Sequence, residues 1–134
     1  MKLIIKGELT DLNTYIQKER GNRYAAAAIK EEETRSVYWD CKAQKVPRFF
    51  NPVFLEFHWY CKNMRKDPDN VAFSKKAILD GLVLAKVLQD DGWKEIRGFC
   101  DRFLVDAENP RVEIIIHEET KEIQNTAMVP IKRR

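Results

Sequence analysis

The hydrophobic and polar residues of this chain alternate in several separate segments. Alternation over residues 2–9 and 52–62 predicts two β-strands, and the second strand turns one face towards a core. Residues 95–105 and 111–117 alternate in the same way, and the turn-forming stretch 106–110 joins them. The sequence therefore predicts four strands.

Two segments between these strands have the spacing of helices. Residues 24–44 contain neither Gly nor Pro, and residues 70–88 repeat apolar side chains at intervals of three and four. Residues 11–23 are polar and contain the turn signal Gly21-Asn22, so we expect an exposed loop there.

The 134 residues suffice for one domain with its own core. The element order β-α-β-α-β-β predicts a single α+β domain over residues 1–134, with two helices on one side of a small mixed sheet. Residues 119–134 are mostly polar and are predicted to form a loosely ordered C-terminal tail.

Cysteine and histidine spacing, together with hydropathy, narrows the class of protein. Cys41, Cys61 and Cys100 are odd in number and far apart, which indicates reduced thiols in a cytoplasmic protein and argues against zinc. His58 and His117 do not belong to an H-E-x-x-H or H-x-x-H motif, so we expect them on the polar faces of strands. No apolar run approaches the roughly 18 residues of a membrane span, so we expect no membrane partner.

The strongest chemical signal lies between Arg65 and Asn70. Asp67 and Asp69 flank Pro68, and such oxygen ligands suit magnesium, with manganese as a possible substitute. The adjacent Arg65 and Lys66 could hold a phosphodiester beside the metal, an arrangement that favours its hydrolysis. The alternative is a surface turn and helix cap, for which Asp, Asn and Pro are equally typical.

Residues 65–91 contain three short motifs in order. They are Asp67, Asp69 and Asn70, then Lys76-Ala77-Ile78-Leu79-Asp80-Gly81-Leu82, then Asp90-Asp91. This order resembles the core pattern of the RusA family of Holliday-junction resolvases, which is D-x-D-N, then a K-A-x-x-D-A-L helix, then D-D.

The first part of the chain also resembles the family. Leu12-Asn13-Thr14-Tyr15 is similar to its N-x-x-Y entry segment. Two departures occur near the centre: extra residues after Asn70 leave open whether Lys75 or Lys76 occupies the family's lysine position, and Gly81 replaces a frequent alanine.

The resemblance implies a magnesium-dependent, structure-selective endodeoxyribonuclease that resolves four-way junctions by paired symmetrical nicks in DNA recombination and repair. RusA-like enzymes are homodimers, and a two-fold dimer matches the symmetry of the junction. No organic cofactor is implied. Because the family is common in phages and prophages, such an origin is plausible.

The resemblance also assigns roles to residues. Asp67, Asp69 and Asp91 would be catalytic metal ligands, and Lys76 or Lys75 would offset charge on the phosphate oxygens. Asp90 is a possible second ligand or simply solvent-facing. The residues expected to contact DNA are Asn13, Tyr15, Arg20, Arg23, Arg65 and Lys66. The first four lie in the polar segment 11–23, for which the absence of any DNA contact is an equal alternative.

Two structural expectations accompany these roles. Asp80 lies four residues after Lys76, so an ion pair along one helix face is the simpler explanation for it. A continuous helix of about 18 residues is some 27 Å long. The chain must therefore double back, or a second subunit must complete the site, if Asp91 is to join Asp69.

Two other functions remain open on the sequence alone. One is a non-catalytic DNA-binding accessory protein whose acidic cluster is structural. The other is a nuclease that prefers flaps or other branched DNA. The net charge of +3 does not decide between them, although Lys62, Arg65 and Lys66 concentrate positive charge beside the carboxylates.

Overall fold

Four strands and four helices follow one another in residues 1–119, the part of the chain that the computed structural model describes. They are β1 Lys2–Lys6, α1 Leu12–Gly21, α2 Arg23–Ala43, β2 Val53–Cys61, α3 Pro68–Ala72, α4 Lys75–Leu84, β3 Ile96–Val105 and β4 Arg111–Glu118. The strands form one sheet in the order β1-β4-β2-β3. β4 is antiparallel to β1 and β2, whereas β3 is parallel to β2. The predicted α+β class with a mixed sheet is confirmed.

One face of the sheet carries the core. Leu3 of β1 lies opposite Ile114 of β4, which in turn lies opposite Phe57 of β2, and all three side chains are fully buried. Val37 of α2 and Ile78 of α4 belong to the same buried cluster. The alternation of the strands thus matches the burial, because successive strand residues point to opposite faces.

The prediction of an exposed loop at residues 11–23 is wrong, since ten of these residues form α1. Asp11 caps the helix, accepting hydrogen bonds from the Thr14 backbone N–H at 3.3 Å and from its hydroxyl at 2.6 Å. Asn22 then caps α2 through the backbone N–H groups of Tyr24 and Ala25. The turn signal at Gly21-Asn22 marks a junction between two helices.

The second predicted helix is divided into α3 and α4, so the order β-α-β-α-β-β is wrong in detail. Ser74 lies at the break, where its hydroxyl donates to the Val71 carbonyl oxygen at 3.2 Å. Such local side-chain bonds compete with the regular helical ladder. Helix α3 therefore ends at Ala72, and α4 begins separately at Lys75.

Helix α4 also ends four residues earlier than predicted. Lys86 has a positive φ of 60°, and its N–H donates to the Val83 carbonyl while the Val87 N–H donates to that of Leu82. These are the two hydrogen bonds of a Schellman motif, which ends a helix and reverses the chain. Asp91 consequently returns towards the beginning of α4.

No helix within residues 1–119 is long and apolar enough to cross a membrane. The predicted loosely ordered tail, 119–134, lies outside the described residues except for Glu119.

Candidate functional site

The Asp67-Pro68-Asp69 turn presents two free carboxylates. Pro68 begins α3, a position that suits its fixed φ and missing N–H. Asp67 occupies the N-cap without making a side-chain cap bond, and Asp69 lies in the first helical turn. Both side chains are exposed, and neither forms a hydrogen bond or ion pair within residues 1–119. Both remain available to a ligand.

Asn70 connects this turn to α1. Its side chain is buried, and its Oδ1 accepts a hydrogen bond from the Asn13 backbone N–H at 2.8 Å. The rings of Tyr15 and Phe73 pack nearby with centroids 5.3 Å apart. The entry segment and the acidic turn therefore form one packed unit, in which the backbone of Asn13 and the ring of Tyr15 have structural contacts.

An ion pair between the buried Asp11 and the exposed Lys66 supports the same unit. Asp11 is 5% exposed, and the Lys66 Nζ lies 3.4 Å from its Oδ1. Burial alone would raise the pKa of Asp11, but the hydrogen bonds from Thr14 and the charge of Lys66 lower this pKa to about 2. Lys66 is therefore engaged with the protein, whereas the equally exposed side chain of Arg65 has no such partner within residues 1–119.

Asp91 lies against Lys76 after the chain reversal. The Lys76 Nζ is 3.3 Å from Asp91 Oδ2 and 3.0 Å from Asp80 Oδ1. The hydrogen bond to Asp80, and then that to Asp91, raise the pKa of Lys76 although partial burial opposes them. The predicted pair with Asp80 is confirmed. The Oδ1 of Asp90 accepts a hydrogen bond from the Asp91 backbone N–H at 2.8 Å, so this side chain stabilises the loop after α4.

Lys75 points to a different carboxylate. Its Nζ lies 2.8 Å from Asp101 Oδ2 and 5.0 and 4.6 Å from the ring centroids of Phe57 and Phe99. Asp101 Oδ1 also accepts a hydrogen bond from the Trp59 indole at 2.8 Å. Sequence reasoning missed Asp101, although a charged residue between Phe99 and Phe103 interrupts an otherwise apolar strand face. Of the two lysines, Lys76 is the one in contact with Asp91.

The remaining basic candidates lie at exposed positions on the helices and loops. Arg20 is in the last turn of α1, and Arg23 begins α2 with its guanidinium 5.6 Å from the Tyr24 ring centroid. The Arg65 backbone N–H donates to Asn63 Oδ1 at 3.0 Å. These side chains leave their charges accessible to a polyanion.

The histidines and cysteines form a separate group. The imidazoles of His58 and His117 both hydrogen-bond to Glu56, on the sheet face opposite the core. The described chain contains no disulfide among its cysteines. Burial raises the pKa of the Cys41 thiol to about 12, which keeps it protonated and unreactive.

Within residues 1–119 no three His, Cys, Asp or Glu side chains surround a common point suited to a metal ion. The free oxygen donors Asp67 and Asp69 nevertheless have the chemistry that magnesium prefers. Asp91 is a third such donor, balanced by Lys76. The donor types fit a hard divalent cation.

No protein-family model matches this chain, and a comparison with curated proteins found no match either.

Proposed function

We propose that this protein is a magnesium-dependent, structure-selective endodeoxyribonuclease that resolves Holliday junctions by paired symmetrical nicks. The observation that best supports the proposal is the chain reversal at Lys86, after which Asp91 contacts Lys76 at the beginning of α4. The short helix α3, which carries the free carboxylates, leads into the same end of α4. The resemblance to the RusA family rests on these same residues.

In this proposal Asp67 and Asp69 are the primary metal ligands and Asp91 is the third. A bound magnesium ion, or manganese in its place, would supply an activated water and positive charge at the leaving oxygen. Lys76 contacts both Asp91 and Asp80. Its ammonium would offset charge on a non-bridging phosphate oxygen, and the pair with Asp80 would hold it in position.

DNA would be held by the exposed cations on the same part of the chain. Arg65 is next to the acidic turn, and Arg20 and Arg23 lie at the junction of α1 and α2. Lys66, paired with Asp11, would contribute less than Arg65. Asn13 and Tyr15 would act mainly by positioning α1. A homodimer would present two such sites to the two strands that must be cut.

Cleavage of matched substrates tests this function. A labelled four-way junction, a flap and a linear duplex of the same sequence are incubated with the protein in magnesium, in manganese and in excess chelator. We expect paired symmetrical nicks in the junction, no cleavage in chelator, and far slower cleavage of the duplex. Preferential flap cutting would instead indicate a branched-DNA nuclease.

The absence of a preformed three-ligand group in residues 1–119 favours one alternative, a DNA-binding accessory protein. That function predicts junction binding without cleavage in either metal. A metal-binding measurement separates the two possibilities independently of cleavage. Manganese should broaden the NMR signals of Asp67 and Asp69 in a nuclease, and should leave them unchanged in an accessory protein that binds no metal.

The DNA contacts can be tested by salt dependence. Each lost phosphate contact should reduce the slope of log affinity against log salt by about 0.9. We expect this loss for Arg65→Ala on junction DNA of any sequence, since phosphate contacts carry no base information. Lys45→Ala, which removes an exposed charge beyond the end of α2, is the matched control. An unchanged slope for Arg65→Ala would remove Arg65 from the proposed DNA surface.

A further inference from the structure

Two loops meet at the end of the sheet where β2 and β3 begin. Residues 44–52 lead from α2 into β2, and residues 85–95 lead from α4 into β3. Because β2 and β3 are parallel neighbours, both loops enter the sheet from the same end. The Phe49 N–H donates to the Val87 carbonyl oxygen at 2.9 Å, so the loops are also bonded to each other. We call residues 44–52 and 85–95 the loop surface.

Each loop presents one aromatic ring to solvent. Phe50 is 84% exposed, and Trp93 is 93% exposed. Phe50 lies three residues before Val53 and Trp93 lies three residues before Ile96, and these two strand residues are paired in the sheet. The Arg48 guanidinium lies 5.4 Å from the centroid of the Phe50 ring. Single exposed rings are common on protein surfaces, but here two occupy matching positions on bonded loops.

A polar recess lies within the loop surface. Its volume is about 150 Å³, roughly ten times what one water molecule needs. Its lining includes Arg48, Phe50, Asn51, Gln89 and Lys94. Within residues 1–119 the side-chain amides of Asn51 and Gln89 form no hydrogen bond. Amides beside an exposed ring suit a planar nucleobase, which offers a face for stacking and an edge for hydrogen bonds.

Positive charge predominates in the recess. Arg48 and Lys94 are exposed and form no ion pair within residues 1–119. Glu95 is the one carboxylate among the lining residues of the described chain. Asp91, in the same loop, lies 3.3 Å from the Lys76 ammonium, which offsets its charge. The balance favours an anionic partner, and a phosphodiester chain supplies one charge for each nucleotide.

We propose that the loop surface binds unpaired nucleotides of single-stranded DNA. Bases stack on Phe50 and Trp93 while Arg48 and Lys94 contact the neighbouring phosphates, the combination by which proteins hold single strands. Duplex DNA does not satisfy this surface, because its bases are already stacked on one another. An acidic peptide would match the charge, but it offers carboxylates where the two rings require planar partners.

This inference rests on the proposed function for its substrate, DNA, and adds which part of that substrate the protein holds. The loop that carries Trp93 also carries Asp91, so unpaired nucleotides at a branch point would lie beside the candidate metal site. Binding is measured in chelator, so the two ideas fail separately. Ring-dependent single-strand binding without cleavage would contradict only the nuclease. Junction cleavage without such binding would contradict only the loop surface.

Affinity for a fluorescent single-stranded oligonucleotide, measured by anisotropy in excess chelator, is the first test. Phe50→Ala and Trp93→Ala each remove a stacking ring, so each should weaken binding between about fivefold and a hundredfold and leave affinity for a duplex unchanged. Trp39→Ala removes an exposed ring of α2 outside the recess lining and should bind like the wild type. Circular dichroism confirms that each variant is folded. No loss on the single strand, or equal losses on both substrates, would overturn the proposal.

Tryptophan emission is the second test, because a base stacked on an indole quenches its fluorescence. An unlabelled oligonucleotide should quench the wild type and Trp39→Ala, but not Trp93→Ala. Polyglutamate at the same concentration of charge should neither quench the emission nor displace the oligonucleotide. Quenching that persists in Trp93→Ala, or displacement by polyglutamate, would contradict stacking on this ring.

Salt dependence tests the phosphate contacts. Lys94→Ala should reduce the slope of log affinity against log salt on the single strand by about 0.7. Arg35→Ala, which removes an exposed charge from α2, should leave the slope unchanged. An unchanged slope for Lys94→Ala would overturn the proposed contact between Lys94 and the backbone.

Discussion

Replacing Gly81 with alanine should destabilise this protein, although alanine is the better helix former. Gly81 lies inside α4, where it faces α2. An added Cβ would lie 2.5 Å from both Cβ and Cγ1 of Val37 and 3.0 Å from the carbonyl oxygen of Thr34. The first two atoms belong to a stiff, fully buried side chain, and the third is backbone. Neither can move away without shifting a helix.

Two opposing effects set the magnitude. Helix propensity favours alanine by about 1 kcal/mol, whereas overpacking a core costs about 1–3 kcal/mol. Because the contacts are short and the neighbours rigid, we take the upper part of that range. The free energy of unfolding should therefore fall by about 1–2 kcal/mol on Gly81→Ala. The frequent alanine at this position in the RusA pattern would then require a smaller neighbour than Val37.

The assay is urea unfolding, followed by tryptophan fluorescence and circular dichroism. Gly21→Ala is the matched control, because Gly21 is also helical but has no atom within 4 Å of an added Cβ. The control should gain about 0.5 kcal/mol from helix propensity. If Gly81→Ala were as stable as the control variant, the close approach of α2 and α4 would be refuted.

Three further predictions concern the segments around the site. Asp11→Asn should lower the free energy of unfolding by about 2 kcal/mol at neutral pH. This difference should disappear as pH falls from about 4 to 2, because the lowered pKa stabilises the fold only while the carboxylate is ionised. A pH-independent difference in urea unfolding would contradict this. Lys86→Gly should raise the unfolding free energy by about 0.5–1 kcal/mol, since glycine tolerates the positive φ; a loss of stability would argue against the Schellman motif. Lys75→Ala should lower the melting temperature by leaving Asp101 without its cation. Lys76→Ala should retain the fold and lose junction cleavage. Loss of cleavage with Lys75→Ala and loss of stability with Lys76→Ala would exchange the roles of the two lysines.

The strands were predictable because their alternation follows directly from burial on one face. Helix α1 was not, since none of its residues is buried and hydrophobic periodicity therefore gives no signal. The one local sequence signal for α1 is the N-cap residue Asp11, three residues before Thr14. The polar composition of the segment favoured a loop and hid this signal. The end of α4 was equally hidden, because Lys86 adopts a left-handed conformation that glycine usually occupies.

The residues of the candidate site also differ in how far their positions could be predicted from the sequence. Asp67 and Asp69 are local in sequence, so their spacing could be read directly from the chain. The pairing of Lys75 with Asp101 joins residues 26 positions apart, and no local pattern specifies it. The contact between Lys76 and Asp91 depends on where α4 ends. Because the predicted helix was too long, the sequence left open whether the chain doubles back before Asp91, as it does after Lys86.

The most direct test of the proposed function compares cleavage and binding of one junction by Asp69→Asn. This substitution preserves side-chain volume and removes the charge that would hold the metal. The Asp69 side chain forms no hydrogen bond or ion pair within residues 1–119. Single-turnover cleavage in magnesium should fall by orders of magnitude, while junction affinity is retained or increases because repulsion of the phosphates is relieved. Glu108→Gln, an exposed carboxylate in the turn before β4, should cleave normally. Near-normal cleavage by Asp69→Asn would contradict the proposed metal site.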